Sequence, residues 1–166
     1  MVTEDRFEQF VRLRSFLARW ALRQDDIVAA AVVGSWARRT ARMDSDLDVV
    51  VLTTHPGQYV ADDGWIAAAV GQDASVVRTR EWGPVTERRV RLSSGLEVEF
   101  GVVAPSWAAT DPVDPGTARV VRDGFEPLVD EHGLLARLIT AVRLGTTDPY
   151  AAVGRRPVAS LSGIAA

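Results

Sequence analysis

The chain has 166 residues, with 19 basic and 22 acidic side chains for a formal net charge of −3. That length suits one domain of about 100–200 residues, and 47% hydrophobic with 25% charged content describes an ordinary globular protein. No cysteine is present, which excludes disulfide frameworks, Cys-ligated zinc, iron–sulfur clusters and thiol nucleophiles, and the acidic balance gives no support to duplex nucleic-acid binding by counterion release.

In chain order, the opening MVTEDRFEQF mixes acids, a base and aromatics, unlike a signal peptide. No apolar run reaches the roughly 18 residues of a membrane span, so the expectation is a cytoplasmic protein with no membrane partner. From Glu4 to Arg23 the residues Phe7, Phe10, Val11, Leu13, Phe16, Leu17, Trp20 and Leu22 recur at helical spacing, which predicts an amphipathic helix. Ile27 to Val33 is an unbroken apolar run closed by Gly34, the pattern of a strand buried on both faces. Asp46 to Thr53 reads as a second strand, Tyr59 to Val70 as a helix weakened by Gly64, and Ser75 to Arg80 as a third strand. Thr86–Leu92 and Leu96–Val103 flank Ser93-Ser94-Gly95 and predict a β-hairpin. Pro105, Pro112, Pro115 and Gly116 mark a surface loop. Glu126–Asp130 reads as an edge strand and Leu134–Leu144 as a closing helix. The expected organisation is one α/β domain over 1–144, a small mixed β-sheet flanked by helices, followed by a loosely docked or disordered tail over 145–166.

The chemistry concentrates in Val33-Gly34-Ser35-Trp36-Ala37-Arg38 and Asp44-Ser45-Asp46-Leu47-Asp48-Val49-Val50-Val51. On a strand, Asp46 and Asp48 project to one side while Leu47, Val49 and Val51 project to the other. Two neighbouring carboxylates repel, and burying either unpaired is expensive. A divalent cation supplies the missing charge, and an oxygen-only donor set suits a hard ion such as Mg²⁺. Gly34 lets the backbone approach a ligand closely, and a helix opening at Ser35 offers N–H groups and a hydroxyl to a phosphate. Arg38 or Arg39 would reach the outer phosphates. A cation site and an anion site joined by a short helix suit a metal-chelated triphosphate. Ser35 as a simple helix N-cap and Asp44 as a turn residue are the plainer alternatives. His55 and His132 have no identifiable partner. Trp36 alone among the tryptophans is placed to do more than pack, and Arg88, Arg89 and Arg91 read as a solvated face of the hairpin.

Val33, Gly34, Ser35, Asp46, Leu47 and Asp48 resemble the pattern of the nucleotidyltransferase superfamily typified by DNA polymerase beta. The longer GSWARR…ARMDSDLDVVVL string is similar to aminoglycoside-modifying and antitoxin-type minimal members, and the resemblance runs from about Ile27 to Val103. Arg39 stands where these proteins often have glycine. The resemblance implies a polymerase beta palm-like fold and a third carboxylate on a neighbouring strand. Glu97 and Glu99 share one face of the hairpin; Glu99, ahead of Phe100-Gly101-Val102-Val103, is the better candidate and Glu97 the reserve. Either acid could instead pair with Arg89 or Arg91 across the hairpin.

The resemblance further implies two Mg²⁺ ions, or Mn²⁺, about 3.5–4 Å apart on Asp46, Asp48 and Glu99. It implies transfer of a nucleoside monophosphate from an NTP, ATP above all, to an acceptor hydroxyl with release of pyrophosphate. The acceptor stays open among a small molecule, a protein and an RNA end. An antitoxin-type or non-catalytic metal–nucleotide-binding module acting on a partner protein is the alternative, with a dimer or a toxin as its partner.

Overall fold

A computed structural model describes residues 1–145. The expected tail over 146–166 lies outside the described residues, and Gly145, placed at the tail's start by the sequence pattern, is the last residue of a helix. Helix α1 (Glu4–Leu22) opens on an N-cap, Thr3, whose hydroxyl accepts the Arg6 N–H, with Glu4 and Asp5 in the first turn where acids offset the helix dipole. Phe10, Leu13, Leu17 and Trp20 form its buried stripe. Strands β1 (Ile27–Val33) and β2 (Leu47–Thr53) flank the four-residue helix α2 (Gly34–Ala37). Asp46 therefore sits just ahead of its strand rather than within it.

The helix expected over Tyr59–Val70 is two short helices, α3 (Pro56–Ala61) and α4 (Gly64–Val70). The break falls at Asp62-Asp63, where the backbone turns extended at Asp62. Strands β3 (Ala74–Trp82), β4 (Val85–Leu92) and β5 (Glu97–Val103) follow. The expected surface loop holds a 3₁₀ turn at Pro105–Ala108 and a helix, α5 (Pro115–Arg122). Asp114 caps α5 by accepting the Thr117 N–H at 3.0 Å, and Pro115 at the first position has no N–H to leave unsatisfied. Edge strand β6 (Phe125–Val129) and helix α6 (Leu134–Gly145) complete the described chain.

The six strands form one sheet in the order β3-β4-β5-β2-β1-β6. Only β2 and β5 run parallel; the other neighbours are antiparallel. Side-chain alternation splits the core into two layers. Leu47, Val49, Val51, Val98, Phe100 and Val102 pack against α1 and α4. Val50, Leu52, Ala29, Ala31 and Val103 pack against α5, α6 and Trp107. No helix among the described residues is long and apolar enough to cross a membrane.

Candidate active site

The parallel register brings the acids together. Asp48 on β2 is the rung partner of Glu99 on β5, and on its other side Asp48 pairs with Val33, the residue before Gly34. Both carboxyls lie on the α5/α6 face and are buried, Asp48 at 6% and Glu99 at 0% exposure. Asp46 lies at the head of β2 and Glu97 at the head of β5, both nearer solvent.

Between these acids lies Arg89 of β4, the rung partner of Glu99. Its Nη2 donates to Glu99 Oε2 at 2.5 Å and lies 3.1 Å from Asp46 Oδ2, while Nη1 donates to Glu97 Oε2 at 3.1 Å. Arg91 holds Glu97 independently through Nε at 3.0 Å and Nη2 at 2.5 Å. Behind the site is Glu87, fully buried, which accepts from Arg78 Nε at 2.9 Å and from Trp82 Nε1 at 2.9 Å. Its rung partner is Gly101, and its charge acts on Glu99.

Expectation and structure part over the hairpin arginines. Arg88 and Arg89 do not form a solvated face: their side chains are 3% and 20% exposed, and only Arg91, at 55%, fits that description. Arg88 is directed to the α1/α4 side, where it donates to the Tyr59 and Val60 carbonyls at 2.9 and 2.8 Å and pairs with Asp63.

Burial sets the electrostatics. It pushes the Asp48 carboxyl well above the ordinary carboxylate range, and the charges of Glu99 and Asp46 push it further. Burial also raises Asp46, against the pull of Arg89. Glu99 is raised for the same reason, eased by its bond from Arg89 and reinforced by Glu87. Glu97 goes the other way, lowered chiefly by its bond from Arg91. For Arg89, burial disfavours the charge but the carboxylates of Glu99, Asp46 and Glu97 outweigh it, so its pKa rises.

Gly34 takes a left-handed φ of 72°, which glycine alone adopts without steric cost. Its N–H donates to the Gly124 carbonyl at 3.0 Å, so it is engaged rather than free for a phosphate. Ser35 follows, half-buried, two residues past the β1 partner of Asp48. Arg38 is tied away from the acids, donating to the Asp123 carbonyl and, through Nε, to Thr40 Oγ1 at 3.1 Å. Arg39 lines a cavity of about 790 Å³ on the α1 side with Phe7, Phe10 and Trp36. Its φ of 61° is also left-handed, a backbone state that accounts for the glycine usual at this point of the pattern. Trp36 is buried and stacks on Phe10 at 4.4 Å, so its ring serves the core.

A nucleotidyltransferase-domain family model matches residues 13–99, more than half of the chain. The chain belongs to the nucleotidyltransferase domain family. The match runs from the middle of α1 through Glu99 and takes in Gly34, Ser35, Asp46 and Asp48. Among solved structures, this nucleotidyltransferase domain is similar to Cid1 in complex with the UTP analogue UMPNPP, at 14% identity and a TM-score of 0.44, over 73% of this chain and 40% of that one. It is also similar to a cytoplasmic RNA terminal U-transferase, at 13% identity and a TM-score of 0.41, over 73% and 39%. The chain thus spans about two-fifths of those proteins' lengths. A search of curated proteins finds no significant match.

The donor chemistry suits the divalent cation that such domains generally use. The oxygen donors of Asp46, Asp48 and Glu99 suit a hard ion, and Glu99 Oε1 is buried without a hydrogen-bond partner, a state that costs free energy until something binds it. As the acids stand, no three His, Cys, Asp or Glu side chains among the described residues are arranged to hold a metal; Asp46, Glu97 and Glu99 are gathered round the Arg89 guanidinium instead. The pairing of Glu97 and Glu99 with Arg89 and Arg91, expected as an alternative, is present; sequence reasoning missed that Arg89 also reaches Asp46, and it missed Glu87. The period-two run Val85-Glu87-Arg89-Arg91 opposite Glu97 and Glu99 was the available signal.

Proposed function

We propose that this nucleotidyltransferase domain moves a nucleoside monophosphate from an NTP, with ATP the first candidate, to an acceptor hydroxyl. The observation that carries this reading is the Val33–Asp48–Glu99 series of rungs, which sets two buried acids beside the Gly34-Ser35 corner. Asp46, Asp48 and Glu99 would hold divalent cations, Mg²⁺ or Mn²⁺. Bound there, such ions offset phosphate charge and ease deprotonation of the hydroxyl. Ser35 offers its hydroxyl to the phosphates, and Gly34 keeps that corner free of side chain. The acceptor oxygen bonds to the α-phosphorus as the bond to the bridging oxygen breaks, and pyrophosphate leaves. Glu99 would serve as a ligand to the cation or as the general base that takes the hydroxyl proton. The rest of the rate gain would be position and charge.

One observation favours the second reading, a non-catalytic or antitoxin-type module acting on a partner protein: Arg89 already pairs with Asp46 and Glu99. The acceptor class, small molecule, protein or RNA end, belongs to the same test. The wild type and an Asp48→Asn variant are incubated with each labelled NTP, Mg²⁺ and a panel of acceptors. NTP-dependent labelling or pyrophosphate release in the wild type, and almost none in the variant, is the expected result. Equal signals would overturn the catalytic assignment, and binding of Mg·ATP without turnover would favour the second reading.

A further inference from the structure

Arg89 has more to do than brace a hairpin. Its Nη2 group alone bridges Glu99 Oε2 and Asp46 Oδ2, two oxygens that a cation on these acids would need. A guanidinium and a divalent ion cannot share them, because like charges at contact distance repel strongly where water is scarce. Glu97 and Glu87 each have partners besides Arg89. Glu97 keeps both bonds from Arg91, and Glu87 keeps Arg78 and Trp82. Withdrawal of Arg89 would therefore leave Asp46 and Glu99, the pair a cation would claim, without the ion pair they have now. The side chain has a route out, being 20% exposed on a long flexible stem. Its Nε is buried without a partner, so its present seat leaves one donor unsatisfied. Once displaced, the guanidinium needs a new anion, and its planar fork fits phosphate oxygens.

We propose that Arg89 is a resident counter-cation that competes with divalent metal for Asp46 and Glu99 and passes to the nucleotide phosphates when displaced, so that metal and nucleotide bind together rather than in turn. The inference rests on the nucleotide-binding reading of this site. It makes Arg89 a positioning residue whose effect appears first in metal binding without nucleotide. The separate bindings are coupled, and couplings of this kind commonly reach about 5–150-fold.

The test measures Mn²⁺ affinity from the free-ion paramagnetic resonance signal, with and without a non-hydrolysable ATP analogue, the Mn²⁺ that the analogue chelates by itself being subtracted with protein-free samples. The proteins are the wild type, Arg89→Met and Arg89→Lys. The lysine variant keeps the charge but cannot bridge two carboxylates with a planar fork, and it serves if the methionine variant fails to fold by circular dichroism. Expected is wild-type Mn²⁺ binding that tightens about tenfold with the analogue. Arg89→Met should bind Mn²⁺ alone about tenfold more tightly than the wild type, with most of the analogue's benefit gone, and Arg89→Lys should fall between. If the wild type binds Mn²⁺ with the analogue but neither variant binds Mn²⁺ alone more tightly, Arg89 is only a structural ion pair and the inference is overturned while the site assignment stands. If no protein binds Mn²⁺ even with the analogue, the nucleotide-site reading falls and takes the inference with it.

Discussion

Replacing Asp48 with asparagine should make the metal-free protein more stable while abolishing activity. Asp48 is 6% exposed and faces the Glu99 and Asp46 carboxylates. Its native pKa lies well above the ordinary value of 3.8, so the folded state holds a proton that the unfolded chain has released. Stability falls as pH rises from that value to the native pKa and stays reduced above it. Each unit of the difference is worth about 1.4 kcal/mol. Asparagine keeps the shape and removes the titration. A gain of about 1–2 kcal/mol at pH 8 is expected, the range in which relief of a functional compromise commonly falls. For a domain of this size that raises the melting temperature by about 2–4 °C per kcal/mol. The assay is thermal and urea unfolding of both proteins in chelator from pH 5 to pH 8. The difference should widen with pH and shrink when Mg²⁺ is added, because a ligand of the native state stabilises only the protein that binds it. A variant no more stable than the wild type at pH 8, or a difference that does not change with pH, would refute the account of Asp48 as a buried, uncompensated acid.

Three further outcomes follow from the packing. Gly124→Ala places a Cβ 2.7 Å from the Gly34 carbonyl oxygen on a backbone with φ of 125°; it should cost about 1–3 kcal/mol and weaken Mg·ATP binding by shifting the Gly34-Ser35 corner, measured by urea unfolding and calorimetric titration. Arg88→Met leaves the Val60 carbonyl without its donor, while the Tyr59 carbonyl keeps Trp65 Nε1 and the freed Asp63 is exposed; it should destabilise by about 1–3 kcal/mol, with faster amide exchange in α3 as the local readout. Arg39→Gly relieves the left-handed backbone at φ 61° and should hold stability or raise it by up to about 1 kcal/mol. A loss above about 1 kcal/mol there would show that the side chain's contacts in the α1 cavity outweigh the backbone relief.

The central strands were legible because their burial is written on both faces. Ile27–Val33 is apolar throughout, as a strand covered on two sides must be, and Val49, Val50 and Val51 extend the same signal from Asp48. The acids were legible because Asp46 and Asp48 stand at the head of such a run. Helix α5 was hidden by Pro115-Gly116, which suggest a loop, although Asp114 before proline is a sound helix start. The break between α3 and α4 depends on Arg88, 25 residues away from Asp63, and a local pattern cannot register so distant a partner. The same applies to Arg89. Period two puts it on the face of Glu97 and Glu99, but its burial depends on β5 pairing with β2, which brings Asp46 across. That pairing is a parallel contact between separated segments, with no turn residue to announce it.

The parallel pairing of Asp48 with Glu99 also limits how this site can change. Their spacing is fixed by the backbone ladder, so it cannot open or close by loop motion; the whole ladder would have to shear. The segments that border the ladder, above all the mostly exposed stretch from Arg38 to Asp44, are not held by that pairing. Amide exchange should register that division as a slow floor under a fast rim.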